Sequence, residues 1–362
     1  MEVHYGLIST SELLKEKESN GTWTFSGITQ KTFQQIKTDR GEDEALQELG
    51  NRIEHNLSLT KDIIEFIPKL KISHYRMSSS IFSLLADFED DLNISITLLP
   101  NSDKILDLIR SIGFASRQSN ITISVYPDST NNLALEDEAV VEKTIKELNF
   151  HSWFFETAGF PSNAANPIII RPFGQPKQEN HGSAVSFVQN FYSNFEKLNK
   201  DTQKRLVLQN EESGFWNPIN LFKYFHVYLN EKYEKGMILS YSNVADIVNP
   251  GKIEDVQIEK EINIGAFHET WMGVVPIFYW SERENLESKK SVEFLTEGIP
   301  YFNYNIKWEC DIRSKDKGII KFTMPEEEDK VTEEVIVTIT KAKYQKSRDT
   351  SRAFNALYDK VQ

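Results

Sequence analysis

Cysteine is nearly absent from this chain, which has only Cys310 among its 362 residues. One thiol can form no disulfide within the chain and cannot build a cysteine-rich zinc site. No apolar run is long enough to span a membrane, and the first residues, Met1 to Tyr5, lack the basic and apolar segments of a signal peptide. These absences predict a soluble, cytoplasmic protein with no membrane partner.

The chain also has fewer basic than acidic residues, with 41 Lys and Arg against 54 Asp and Glu, which gives a formal net charge of −13. An acidic surface repels phosphate backbones at long range, which argues against a non-specific nucleic-acid binder but does not describe a local groove. The sequence contains neither a Gly-x-Gly-x-x-Gly nor a Gly-x-x-x-x-Gly-Lys loop, so no nucleotide cofactor is expected. The hydrophobic content of 39% is enough for a large core.

Apolar, β-branched segments alternate with helical patterns along the chain. The longest helical patterns cover residues 41–67 and 136–158. The predicted strands are residues 3–9, 73–80, 121–127, 167–174, 206–209, 237–243, 274–282 and 334–339. This alternation predicts an α/β fold with a parallel sheet covered by helices. We predict a (β/α)8 TIM barrel, a single domain over residues 1–362, made irregular by insertions near residues 11–45, 81–100 and 283–333.

Polar residues follow the apolar part of each predicted strand. The clearest case is Leu206-Val207-Leu208, which runs into Gln209-Asn210-Glu211-Glu212. In a TIM barrel the carboxyl ends of the strands carry the chemistry, so these tips predict the functional site. The candidate site residues at the tips are Arg76, Tyr126, Arg171, Gln209, Asn210, Glu211, Glu212, Ser240, Asn243, Tyr279 and Glu282.

The order and spacing of these tips resemble the UV-damage endonuclease family, whose members are metal-dependent TIM barrels that incise DNA beside ultraviolet photoproducts. His74-Tyr75-Arg76-Met77-Ser78-Ser79 is similar to the family's F-Y-R-I-S-S segment, and Leu208 to Glu212 is similar to its L-E-N-D-D segment. Further matches are His55-Asn56-Leu57, Pro127, Trp271, Ser281-Glu282 and the run Lys341 to Gln345, which adds Lys341 to the candidate site residues. The resemblance implies DNA as a partner.

The departures from the family concern its metal ligands. The positions that the resemblance assigns to family ligands carry Tyr126, Arg171, Gln209, Ser240, Asn243 and Tyr279, and the closing glutamate corresponds to Ile339 or to Glu309. Tyr, Arg, Gln, Ser and Asn are poor substitutes for imidazole and carboxylate around a divalent cation. We therefore predict a divergent member in which the family's metal cluster does not form, with no metal site and no cofactor.

Two functions of different classes fit these residues. The first is a non-catalytic member, a pseudoenzyme that binds DNA or a protein partner at the barrel mouth. The second is an active, metal-dependent DNA repair endonuclease that holds manganese or another divalent metal with the substitute carboxylates Glu211, Glu212, Glu282 and Glu309. A weaker third option is a barrel of the sugar-isomerase type, since its sites also use acidic strand ends with metals.

Several candidate residues also have a purely structural interpretation. Arg76 either contacts phosphate or pairs with a carboxylate inside the barrel mouth, and Arg171 is interpreted as an internal counter-ion to Glu211 or Glu212. Five aromatic residues either line a pocket that stacks a base or belong to the core. They are Tyr126, Trp216, Tyr241, Tyr279 and Trp280.

Overall fold

Eight parallel strands form the centre of the molecule. The computed structural model describes residues 3–17, 23–85, 94–127, 131–250, 264–284, 290–296 and 298–325. The strands are β1 (His4–Ile8), β2 (His74–Met77), β3 (Thr122–Val125), β4 (Ile168–Ile170), β5 (Leu206–Gln209), β6 (Ile238–Ser240), β7 (Ile277–Ser281) and β8 (Lys307–Asp311). They pair in the order β6-β5-β4-β3-β2-β1-β8-β7. A parallel bridge between Ser242 and Tyr279 joins the ends of that sheet, which confirms the predicted (β/α)8 barrel.

Helices surround the barrel and connect its strands. They are α1 (Glu12–Lys17), α2 (Gln30–Arg40), α3 (Glu42–Phe66), α4 (Ser102–Gln118), α5 (Glu138–Thr157), α6 (His181–Phe195), α7 (Lys200–Arg205), α8 (Pro218–Leu221), α9 (Leu229–Tyr233), α10 (Asn243–Val248), α11 (Ile264–Glu269) and α12 (Asp316–Thr323). A π-helical segment, Phe222–Tyr228, links α8 to α9. Among the described residues, none of the helices has the length and apolar character of a membrane-spanning segment.

The predicted long helices are confirmed as α3 and α5. In α3, Leu49, Ile53 and Leu57 recur four residues apart and are buried, so that one stripe of the helix packs on the barrel. A 3-10 turn follows at Ile67–Leu70, and Pro68 stands at its start. Proline lacks the N–H that a continuing α-helix needs, which explains where α3 ends.

The last strand of the barrel differs from the prediction. The predicted strand at residues 334–339 lies outside the described residues, and the eighth strand is β8, inside the range that was predicted to be an insertion. Along β8, Trp308 and Cys310 pack in the core outside the barrel, whereas Glu309 contacts β2 and β3 across its interior. A buried parallel strand is expected to be a continuous apolar run. The charged residue that faces the inside of the barrel interrupts this run, so β8 was not recognised as a strand from the sequence.

Polar side chains fill much of the barrel interior. The strand register places His74 on β2 and Glu309 on β8 on either side of Gly6 in β1. A Cβ atom at position 6 would lie 2.9 Å from Cδ2 of His74 and 3.1 Å from the carbonyl oxygen of Trp308. Glycine at this position therefore leaves the space that the imidazole occupies.

Candidate functional site

Glu309, on β8, is a fully buried carboxylate inside the barrel. Its Oε2 lies 3.4 Å from Nη1 of Arg76, at the end of β2. Its Oε1 accepts a hydrogen bond from the Ser124 hydroxyl and lies 3.2 Å from Nε2 of His74. Burial alone would raise the pKa of this carboxyl, but the charge of Arg76 and the hydrogen bonds of His74 and Ser124 lower it below its ordinary value. Glu309 is therefore an anion whose counter-ion is supplied by the chain.

His74 is fully buried, and both of its ring nitrogens have partners. Nδ1 lies 2.8 Å from Oγ1 of Thr122, and Nε2 lies 3.0 Å from Oγ of Ser124 as well as close to Glu309. Burial lowers the pKa of His74 despite the neighbouring carboxylate. Nζ of Lys307 also reaches Thr122, at 3.0 Å, and burial lowers the pKa of this lysine to about 8. These contacts give His74 a structural role in the barrel interior.

Two guanidinium groups lie beside the ring of Tyr126. Cζ of Arg76 is 4.2 Å from the ring centroid, and Cζ of Arg171 is 5.9 Å from it. Cζ of Arg76 also lies 5.9 Å from the ring centroid of Tyr279, whose hydroxyl donates to Asp311 at 2.6 Å. The barrel mouth thus combines cationic and aromatic groups, which attract each other at these distances.

The five aromatic residues considered for a base-stacking pocket do not come together. Tyr126 and Tyr279 lie at the mouth beside Arg76. By contrast, Trp216, Trp280 and Tyr241 are buried in the core. The ring of Trp280 packs on Trp308, outside the barrel.

Arg171, Glu211 and Glu212 follow neighbouring strands, β4 and β5. Nη2 of Arg171 lies 3.8 Å from Oε1 of Glu212, and Oε2 of Glu212 forms a closer ion pair with Arg283. Glu211 accepts hydrogen bonds from the backbone N–H of Phe173, at 2.9 Å, and from the Gln175 amide, at 3.3 Å. Of the two acids that were considered as counter-ions of Arg171, Glu212 is the one in ion-pair contact.

Burial raises the pKa of Glu211 to about 7. The N–H of Phe173, the charge of Arg171 and the amide of Gln175 all act in the opposite direction, but they do not compensate for the loss of water around the carboxyl. At neutral pH this carboxyl therefore exists in both protonation states.

The amide and hydroxyl residues at the tips connect neighbouring strands. Nε2 of Gln209 lies 3.5 Å from Oγ of Ser240. The Ser240 hydroxyl in turn donates a hydrogen bond to the carbonyl oxygen of Ile277, at 2.7 Å. Asn210 bonds the backbone N–H of Ser242 at 2.7 Å and its carbonyl at 3.1 Å. Asn243 holds Ser281 through the same two backbone groups, at 2.9 Å and 2.7 Å. These side chains stabilise the contacts of β6 with its neighbours β5 and β7.

Two candidates remain, Glu282 and Lys341. Glu282 is fully buried and accepts hydrogen bonds from the backbone N–H of Thr296 and, at 2.7 Å, from its hydroxyl. Lys341 lies outside the described residues. Ser124, Asp311 and Arg283 were not among the predicted site residues, because their importance comes from contacts across the barrel and not from spacing along the chain.

The residues that the structure describes do not fit the metal cluster of the family that the sequence resembles. Glu309 is paired with Arg76, and Glu212 is paired with Arg283 and Arg171. Among the residues that the structure describes, no three His, Cys, Asp or Glu side chains form a group that could hold a metal ion. The guanidinium groups beside Tyr126 would also repel a divalent cation at this end of the barrel.

Several known proteins are similar to parts of this chain in sequence. The UV DNA damage endonuclease of Nostoc sp. is 26% identical over 161 residues, which cover 44% of this chain and 45% of that protein. The UV DNA damage endonuclease of Bacillus cereus is 21% identical over 215 residues, which cover 59% of this chain and 61% of that protein. The aligned segments therefore span less than two thirds of these relatives.

The crystal structure of SacUVDE shares the fold. Its TM-score with this chain is 0.66 at 19% sequence identity, over 91% of this chain and 99% of that one. The UV-endonuclease UvdE family model matches residues 3–345 of this chain. Because this match extends over nearly the entire chain, the protein belongs to the UV-endonuclease UvdE family.

Proposed function

We propose that this chain is a non-catalytic member of its family, which binds DNA at the barrel mouth without metal-dependent incision. One observation carries the proposal: arginines of the chain neutralise the carboxylates Glu309 and Glu212. Hydrolysis by a metal-bound water needs a cation that lowers the pKa of that water. With Tyr, Arg, Gln, Ser and Asn at the family's ligand positions, the donor set is unsuited to holding such a cation.

DNA is the partner favoured by family membership. The mouth carries Arg76 and Arg171, 17% and 29% exposed, within a chain whose overall charge is negative. Arginine is well suited to phosphate because its planar fork donates two parallel hydrogen bonds. Two arginines at the mouth of an acidic protein predict that DNA binds at this place and is only weakly attracted elsewhere.

The test combines three measurements on the purified full chain. Elemental analysis is expected to find manganese and zinc well below one ion per chain, and incubation with irradiated supercoiled plasmid and added manganese is expected to leave it intact. Fluorescence anisotropy is expected to detect binding of a short irradiated duplex. Stoichiometric metal together with nicking of the plasmid would contradict the proposal, and a lack of DNA binding would direct attention to a protein partner.

One observation favours the second candidate, an active metal-dependent endonuclease with substitute carboxylates. The pKa of Glu211, about 7, is in the range that suits a general base. This candidate predicts metal-dependent cleavage that is lost in Glu211→Gln and retained in Glu136→Gln, an exposed glutamate paired with Lys177. Equal activity of both variants, or none in the unaltered protein, would count against it.

A further inference from the structure

We propose that Arg171 and Tyr126, beside Arg76, form an anion site that binds one phosphate group. The inference rests on the proposed function in one respect, which is that no metal occupies this end of the barrel. It adds the chemical class of the ligand and the two donors that would recognise it.

Two hydrogen-bond donors at the mouth are buried and unused. Nε of Arg171 and the hydroxyl oxygen of Tyr126 both have no hydrogen-bond partner among the described residues. They belong to adjacent side chains, since Cζ of Arg171 lies 5.9 Å from the ring centroid of Tyr126. Buried polar groups in folded proteins nearly always have partners, so two neighbouring exceptions indicate a missing acceptor.

The missing acceptor is expected to be an anion because of the balance of charge around it. Arg76 is matched by Glu309, and the closest cation to Glu212 is Arg283. Arg171 is left with a 3.8 Å contact to a carboxylate that is already paired. Within the described part of the chain, the charge of its guanidinium is thus compensated incompletely.

Glu211 does not take the place of that anion. Its two carboxylate oxygens accept hydrogen bonds from the N–H of Phe173 and from the side chain of Gln175. Burial raises the pKa of Tyr126, although Arg171 and Arg76 act to lower it, so the phenol keeps its proton and remains a donor. The donors available to a ligand are therefore an N–H on a cation and a neutral O–H.

Phosphate suits this pair of donors. Its oxygens accept charge-assisted hydrogen bonds from a guanidinium, and a further oxygen of the same group can accept from a phenol. The side chain of Arg171 is 29% exposed, so it borders solvent beside its buried Nε. The same chemistry is offered by a phosphodiester of DNA and by free phosphate or a phosphate monoester.

The experiment is isothermal titration calorimetry, in which inorganic phosphate is titrated into the full chain in a phosphate-free buffer of low ionic strength. The unaltered protein is expected to bind one phosphate. Arg171→Gln is expected to weaken binding about tenfold or more, since a hydrogen bond to a charged group is lost. Tyr126→Phe, which deletes only the hydroxyl and should leave the fold intact, is expected to weaken it about fivefold.

Arg110→Gln is the matched control, because Arg110 is an exposed arginine of α4 paired with Asp107. It removes the same charge at a distant place and is expected to bind phosphate like the unaltered protein. No heat of binding with millimolar phosphate, or equal affinities for all four proteins, would overturn the anion site.

Competition identifies the source of the phosphate. If a short single-stranded oligonucleotide displaces inorganic phosphate, the site takes a phosphodiester of DNA. If both bind together, it takes free phosphate or a phosphate monoester. Metal content and plasmid nicking, measured on the same preparations, test the proposed function separately, so that phosphate binding by a protein that nicks DNA would refute the proposed function alone.

Discussion

At the residue scale, Arg76 is what permits a buried glutamate in the barrel. Glu309 is fully buried, and Arg76 is the cation in contact with its carboxylate. A carboxylate taken out of water is costly unless it is paired, and removing one partner of a buried pair leaves the other uncompensated. The ion pair and the bonds from His74 and Ser124 therefore form one unit.

Replacing Arg76 by Met should lower the free energy of unfolding by about 3 kcal/mol or more, because Glu309 would be buried either as an uncompensated charge or after taking up a proton. The double variant Arg76→Met, Glu309→Gln should recover much of that loss. Urea denaturation at neutral pH measures both. Arg110→Met, which breaks an exposed pair with Asp107, should cost about 0.5 kcal/mol or less. A single Arg76→Met variant as stable as the unaltered protein would contradict the pairing.

Glu211 should make stability depend on pH near neutrality. Its pKa is about 7 in the folded chain against an ordinary 4.5, so the folded state holds the proton more tightly. The stability that this carboxyl contributes is fully present below pH 4.5 and is lost as the pH rises through 7. Glu211→Gln should remove that part of the pH dependence. Urea midpoints measured across this range would refute the assignment if the two proteins changed in parallel.

At the element scale, the first residue of α12 fixes the start of α1. Asp316, the first residue of α12, is buried, and its Oδ1 accepts from the backbone N–H of Glu12 at 2.8 Å and of Leu13 at 3.3 Å. Its other oxygen accepts from the Ser11 hydroxyl. A carboxylate from a distant part of the chain thus caps α1 in the way that an N-cap residue caps its own helix.

Asp316→Ala should destabilise the protein by about 2 kcal/mol, near the upper end of the range for lost caps, because the N–H groups of α1 would lose their acceptor. Asp107→Ala, which removes an exposed carboxylate from α4, should have little effect. Thermal unfolding followed by circular dichroism measures the difference. Equal midpoints for the two variants would show that the cap contributes little.

Some strands and site residues could be predicted from the sequence, and others could not. The tip of β5 was predictable because the apolar run ends abruptly at Gln209, whereas Arg76 and Tyr279 became candidates through the resemblance of their segments to the UV-damage endonuclease family. β8 was not, because its inward-facing Lys307 and Glu309 alternate with outward-facing core residues, a pattern typical of a strand exposed on one face. Contacts across the barrel, such as that of Glu309 with His74, have no signature in local spacing.

At the scale of the whole molecule, the barrel is preserved at low sequence identity. The fold matches a solved relative with a TM-score of 0.66 at 19% identity, so the architecture tolerates extensive replacement of side chains. The net charge of −13 is spread over a chain whose mouth carries guanidinium groups. Binding of DNA should therefore be local and should involve few phosphates.

Salt dependence measures how many phosphates are contacted. The logarithm of the DNA association constant should fall with the logarithm of salt concentration with a slope of about −1 to −2, because each neutralised phosphate contributes about −0.9. Arg171→Gln should make the slope shallower by about 1, and Arg110→Gln should leave it unchanged. Anisotropy titrations at several salt concentrations provide the slopes. A steep slope that is the same in all three proteins would place DNA on another surface.

The pairing of Arg76 with Glu309 has a consequence for how the protein depends on its surroundings. A bound metal must be obtained from the cell, and its occupancy falls when supply is short or a chelator competes. The guanidinium of Arg76 belongs to the same polypeptide as Glu309, so folding alone brings it to the carboxylate. This carboxylate therefore has its counter-charge from the moment the chain folds, under metal starvation as well as in metal excess.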